Sequence, residues 1–205
     1  MKILAFVDSH GSADAMREIE KKAKFADIIL CAGDFTIFER DIEKMLKRMD
    51  SFGKPVLVLH GNHESEATMQ KACKGYENLE FFHKKAKIVN NMLFMGYGGG
   101  GFERKTPELE KFFRENERFI ELAHTKIFMF HAPPYDTRLD LIGRNHNGSE
   151  TESHLISKYN PQIVVCGHFH ENSGKNQKVG NTFVINPGPY GEMIEIELIS
   201  KQTHI

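Results

Sequence analysis

Apolar residues recur along the chain in short runs that each stop at glycine or at a polar residue. The runs 2–7, 28–32, 56–59, 126–130 and 163–166 are rich in Ile, Val and Leu. Runs of that length and type read as buried strands. Between them the apolar period lengthens to three or four residues. Ala13, Met16, Ile19 and Ala23 follow a Ser12 that can cap a helix; Ile42, Met45, Leu46 and Met49 mark the next one, stopped by Gly53 and Pro55. A short helix over 65–74 is expected to end at Gly75. Three strand–loop–helix units in succession argue for a parallel α/β sheet.

The middle of the chain is less regular. Residues 86–89 and 92–95 read as strands joined by a hairpin turn at Asn90-Asn91. The stretch 96–101 is expected to break regular structure and form a flexible edge to a cleft; it has no GxxxxGK[ST] context and is no P-loop. Thr106 as cap and Pro107 at the first turn start a helix predicted to run to 123, with Leu109, Phe112, Phe113, Phe119 and Ile120 on its apolar face. In the second half Ser149-Glu150-Thr151-Glu152 reads as a capping box. A strand over 181–185 leads into Asn186-Pro187-Gly188-Pro189, and 193–198 alternates like a final half-exposed strand. No linker or low-complexity tract interrupts the pattern. The expectation is a single domain over 1–205, a four-layer α/β/β/α sandwich of two mixed sheets flanked by helices.

At 205 residues, with 40% hydrophobic and 27% charged side chains, the chain can bury a core. The net charge of -1 gives no global pull toward nucleic acid or anionic lipid. No apolar stretch approaches membrane-spanning length, and the first apolar run is too short for a signal peptide, so a cytoplasmic protein without a membrane partner is expected. Cys31, Cys73 and Cys166 are odd in number; they read as small buried residues rather than disulfides.

The chemistry lies where the strands end. Five exits carry metal-competent side chains: Asp8 with His10; Asp34; Asn62 with His63; His131; and His168 with His170. In an open α/β sheet such exits share one edge, where ligands bind. Carboxylate, imidazole and amide without thiolate suit Mn²⁺ first, with Fe, Zn²⁺ or Ni²⁺ as alternatives. Seven candidate ligands exceed one tetrahedral ion and fit two ions sharing a carboxylate.

The order Asp-x-His, Gly-Asp, Gly-Asn-His-Glu, His, Gly-His-x-His resembles the calcineurin-like metallophosphoesterase superfamily, in particular its small single-domain branch related to cyclic-nucleotide phosphodiesterases. The resemblance implies that Asp8, His10 and His170 bind one metal, that Asn62, His131 and His168 bind the other, and that Asp34 bridges them. It implies that Asn62 and His63 meet the substrate, with His63 a non-ligand that protonates the leaving oxygen while a metal-bridging hydroxide attacks phosphorus. Many members continue Gly-Asp-x-x-Asp; here position 37 is Ile. The implied partner is a small phosphoester, nucleotides included, with nucleic acid left open. A nuclease would need a basic groove, and the neutral charge balance argues against one. A non-catalytic scaffold on the same fold is the other alternative, against which stands the complete ligand set with His63.

Other residues carry less. His60 is expected to pack beside the motif. His83, His124, His154 and His204 are assigned surface or helix positions without a role. His146 is a candidate for reaching substrate. Arg104, Lys105, Arg138 and Arg144 are loop cations that read as solvated charges. The Phe-rich helix is expected to be core, with a subunit contact and hence a homo-oligomer as its further use.

Overall fold

The computed structural model describes residues 1–197. The chain runs β1 (Lys2–Phe6), α1 (Ala13–Ala23), β2 (Ile28–Cys31), α2 (Ile42–Asp50), β3 (Val56–Val58), α3 (Glu66–Ala72) and β4 (Leu79–Phe81). Then come β5 (Lys85–Val89), β6 (Met92–Tyr97), α4 (Pro107–Glu115), α5 (Glu117–Leu122) and β7 (Thr125–Phe130). The hairpin β8 (Leu141–Ile142) and β9 (Asn145–His146) precedes α6 (Glu150–Tyr159), β10 (Ile163–Val165), β11 (Asn176–Val179), β12 (Thr182–Ile185) and β13 (Glu192–Glu195).

The alternation along β1 makes a layered fold necessary. Ile3 and Ala5 are buried on one face, Leu4 and Phe6 on the other, so both faces of the strand must be covered. The first sheet has the order β13-β1-β2-β3-β4; β1 to β4 are parallel and β13 is antiparallel. The second has the order β11-β12-β10-β7-β6-β5, parallel inside with antiparallel β11 and β5 at its edges. Leu4, Phe6 and Cys31 meet Met16, Ile19, Leu46 and Met69 from α1, α2 and α3. Ile3, Ala5, Leu30 and Leu57 meet Phe94, Ile127 and Val165 between the sheets. Leu93, Phe128 and Val164 meet Phe112, Phe113 and Leu155 from α4 and α6. Three apolar interfaces separate four layers, as the pattern predicted.

Local chemistry explains several boundaries. Ser12 Oγ accepts from Ala15 N at 3.2 Å. Ser149 Oγ accepts from Glu152 N at 3.2 Å, while Ser149 N donates to the Pro133 carbonyl, so only half of the capping box forms. Asn90 and Asn91 both take positive φ, as the tight hairpin requires.

Other expectations need correction. Thr106 makes no side-chain cap; its N–H donates to Thr151 Oγ1 at 3.0 Å. The helix expected over 107–123 divides at Asn116, whose amide caps the Phe112 carbonyl, and Phe119 is 55% exposed rather than core. β6 runs on through Gly96 and Tyr97 before the backbone breaks. His83 is buried, not superficial: its Nδ1 accepts from Gly98 N and its Nε2 lies 3.3 Å from Glu66. The final strand is Glu192–Glu195; Leu198 and His204 lie outside the described residues. Among the described residues no helix is long and apolar enough to cross a membrane.

Candidate metal centre

All five strand exits meet at one edge of the two sheets. β1, β2 and β3 deliver Asp8 and His10, Asp34, and Asn62 and His63; β7 and β10 deliver His131, and His168 and His170. Backbone bonds tie the exits together: Asp8 N donates to the Gly33 carbonyl at 3.1 Å, His10 N to the Asp34 carbonyl at 3.0 Å, and Gly167 N to the His131 carbonyl at 2.8 Å. Side chains cross-brace them. His168 N donates to Asp8 Oδ2 at 2.9 Å, and His63 N to Asp34 Oδ1 at 2.8 Å.

Two glycines allow this closeness. A Cβ on Gly61 would collide with Asp34 Oδ1 and His131 Cε1, and one on Gly167 with Val7 and Asp8 Oδ2. Asp8, His10, Asp34 and His168 all take positive φ. Left-handed backbone costs a non-glycine residue on the order of 1–3 kcal/mol, and it persists where surrounding contacts over-determine it.

The imidazoles are oriented from behind. His10 Nδ1 donates to the Thr36 carbonyl at 3.1 Å and His131 Nδ1 to the Ala32 carbonyl at 2.9 Å, which leaves the lone pair of each Nε2 facing inward. His10 Nε2 then lies 2.9 Å from His170 Nε2. His131 Nε2 lies 3.1 Å from Asn62 Oδ1 and 3.4 Å from Asp34 Oδ2, and His168 Nδ1 lies 2.9 Å from the same amide oxygen.

These atoms fall into groups able to hold an ion: Asp8, His10 and His170; and Asp34, His131 and His168. Within each group the donor atoms lie inside 4.8 Å of one another. A third group, His10, Asp34 and His63, overlaps both. The donor set fits metal ions. Lone pairs of neighbouring imidazoles converge instead of pairing with donors, and buried Asp8 Oδ1 has no hydrogen-bond partner. A proton on His131 Nε2 balances the buried carboxylates, and an ion bound through that nitrogen would displace it. Burial raises Asp8 to about 6 although His131 opposes it. Burial lowers His131, but the hydrogen bond and charge of Asp34, with Asp8, outweigh it and lift the ring to about 9. Burial would raise Asp34; its contacts with His131 and His63 hold it at about 2. Burial, with His131, lowers His168 to about 4.

His63 stands beside the donor groups. Phe38 N–H donates to its Nδ1 at 3.4 Å, so the neutral ring carries its proton on Nε2, 4.0 Å from Asp34 Oδ2. Phe38 stacks on one face at 4.3 Å and 23°, and His10 meets it edge-on at 4.7 Å.

The structure thus brings together all eight residues singled out in the sequence. It adds Glu64, to which the sequence reading gave no role. Glu64 Oε2 accepts from Asp34 N at 3.0 Å and Gly61 N at 3.1 Å; Oε1 accepts from Thr36 N at 2.8 Å and Thr36 Oγ1 at 2.7 Å. One buried carboxylate therefore fastens two of the exit loops. Its place as last residue of Gly-Asn-His-Glu was the available signal. The glycine stretch is not a loose edge. Gly98 N and Gly99 N are bonded to His83 Nδ1 and the His60 carbonyl, and Gly101 abuts His168. Of the loop cations, Arg104 is engaged with Glu150, the His146 carbonyl and the Tyr135 ring. His146 Nδ1 lies 2.6 Å from Asp140.

A family model described as calcineurin-like phosphoesterase matches residues 1–172. The chain is 33% identical over 203 residues to the uncharacterized protein MJ1162 of Methanocaldococcus jannaschii, covering 92% of this chain and 88% of that one. The fold superposes on the crystal structure of TT1561 of Thermus thermophilus with a TM-score of 0.75 at 21% identity, covering 91% of this chain and 88% of that one. It also superposes on a dimetal phosphatase from Danio rerio, with a TM-score of 0.61 at 12% identity, covering 93% and 88% of the two chains.

Proposed function

Because the chain belongs to the calcineurin-like phosphoesterase family, we propose that it hydrolyses phosphodiesters with two metal ions, Mn²⁺ foremost. Asp8, His10 and His170 would hold one ion, Asn62, His131 and His168 the other, and Asp34 both. When bound, such a pair supplies an activated water and neutralises phosphoryl oxygens.

The protein's own groups do the rest. The Thr36 and Ala32 carbonyls fix the ring orientations of His10 and His131. As an imidazolium His63 would give the proton on Nε2 to the leaving oxygen and become the neutral ring whose Nδ1 accepts from the Phe38 amide. Stacking on Phe38 restricts that ring to one orientation, which favours a directed transfer over a diffusing one. A poor alkoxide leaving group needs that proton more than a phenolate does, and the diester preference rests on His63 together with the family resemblance.

The observation that carries the reading is the two convergent donor groups, Asp8 with His10 and His170 and Asp34 with His131 and His168, linked by a third that sets Asp34 beside His10. The test is a metal-reconstituted activity panel with Mn²⁺, Fe²⁺, Zn²⁺ and Ni²⁺: aryl monoester, aryl diester, then cyclic nucleotides. Diester turnover that disappears on chelation is expected; no turnover with any metal would refute the proposal. His63→Ala should lose activity mainly on substrates with basic leaving groups while keeping both metals, and an equal loss across the leaving-group series counts against the general-acid role. Asp34→Ala should carry neither ion by elemental analysis, so full occupancy excludes the shared-ligand assignment.

A further inference from the structure

A groove of about 630 Å³ opens beside His10 and is lined by Ile37, Arg40, Lys44, Lys47 and Arg48. Lys44 and Lys47 share one face of α2, and Arg40, in the turn before it, lines the same groove. The acids of that helix face elsewhere: Glu43 binds the Tyr76 hydroxyl at 3.0 Å and Asp50 accepts from Asn78 N at 2.8 Å. Arg48 pairs with Glu20 at 3.2 Å, whereas Arg40, Lys44 and Lys47 have no carboxylate within ion-pair distance among the described residues. Asp41 is the one acid lining the groove. The chain's net charge of -1 therefore averages over a cationic track formed by Arg40, Lys44, Lys47 and Arg48.

Ile37, 49% exposed, lines the groove, and its neighbour Phe38, 74% exposed, stands against His63 beside His10. Phe38 has a φ of 48°, a costly conformation for a bulky residue. It is held by its neighbours: Glu39 N donates to Thr36 Oγ1, and the Glu39 carboxylate accepts from Ser65 N and Thr68 Oγ1. One face of the ring covers His63, and the rest is open to solvent.

A basic track with an exposed aromatic at the reacting end is the combination that binds single-stranded nucleic acid, whose backbone follows the charge and whose unpaired bases stack. A duplex hides its base faces, and a polyphosphate has none. We propose that the substrate is a single-stranded oligonucleotide. Its flanking phosphates lie on Arg40, Lys44 and Lys47, a base stacks on Phe38, and the scissile diester sits at the metal centre. The proposal rests on the phosphodiesterase reading. In the reaction water supplies the oxygen that bonds to phosphorus and loses a proton to solvent, one P–O bond to sugar breaks, the departing sugar oxygen takes a proton from the His63 imidazolium, and solvent reprotonates His63.

The test compares wild type with Lys44→Glu/Lys47→Glu, two exposed residues outside the metal centre. Hydrolysis of an oligonucleotide is set beside hydrolysis of bis(aryl) phosphate, which is too small to reach the track. Anisotropy of a labelled phosphorothioate strand gives a binding readout that needs no turnover. The variant should raise the strand's Kd and KM at least tenfold. It should lower the slope of log Kd against log salt by about 2, while kcat/KM for the small diester stays within twofold. An unchanged Kd and slope would overturn the groove, as would equal losses on both substrates. So would a duplex or inorganic polyphosphate binding as tightly as the single strand. A wild-type protein that turns over neither compound overturns the diesterase reading, and the anisotropy separates that failure from a failure of the groove.

Discussion

Glu64 shows how much one buried side chain can organise. It takes four hydrogen bonds from two loops, and only an ionised carboxylate is acceptor on both oxygens. Burial pushes its carboxyl above the ordinary range, while the bonds from Thr36 and Gly61 oppose that shift. Glu64→Gln keeps the shape but turns an NH₂ group toward two donors. It is expected to weaken metal binding about 10- to 100-fold, the usual range for groups that support ligands, and to leave the fold intact. Calorimetric metal titration beside circular dichroism checks this; unchanged affinity would deny Glu64 its organising role. The candidate ligands themselves were legible because their types and order suffice. Glu64 was not, because its partners Asp34 and Thr36 lie 30 and 28 positions away and meet it only in the folded chain. The left-handed backbone at Asp8, His10, Asp34 and His168 was hidden for the same reason: nothing local favours it.

Among the elements, legibility followed length and period. The buried strands and the amphipathic α1 and α2 repeat their pattern long enough to be read. β4, β8, β9 and β11 lack the unbroken apolar run that marks the equally short β3 and β10: β4 reads Leu-Glu-Phe and β11 Asn-Gln-Lys-Val. The break at Asn116 divides one apolar stripe between two helices, which periodicity alone cannot detect. In α6 the pattern reads polar where the structure is dry. Glu152 is buried, its Oε2 has no partner, and burial raises its pKa well above the ordinary 4.5. The sign follows from linkage. Below pH 4.5 folded and unfolded chains are both protonated there and nothing is lost. As pH rises above 4.5 the unfolded chain ionises first, so stability falls until the pH passes the folded value. Glu152→Gln removes that titration. It should raise Tm at pH 8 and lose the advantage at pH 4, by paired thermal melts. A gain independent of pH would place the effect in packing instead.

Across the whole molecule the four layers could be read from the sequence, because strands buried on both faces need cover on both sides. The charge distribution could not: a net charge near zero concealed a cationic groove on α2. The seven candidate ligands divide between the layers in a way that bears on stability. Asp8, His10, Asp34 and Asn62 leave the first sheet, and His131, His168 and His170 leave the second. Each ion would therefore draw ligands from both sheets and tie them at one edge, where the apolar layer between the sheets gives way to polar loops. A ligand at 100 times its Kd stabilises the folded state by about 2.7 kcal/mol. For a chain of this size that corresponds to a rise in Tm of about 5–10 °C per ion. His168→Ala should lose the increment of the ion shared with Asn62 and His131, and His170→Ala that of the ion shared with Asp8 and His10. Asp34→Ala should lose both. Melts with and without chelator decide the matter: a Tm indifferent to metal in the wild type would show that no ion joins the sheets, and increments that survive Asp34→Ala would show that the two sites are independent of it.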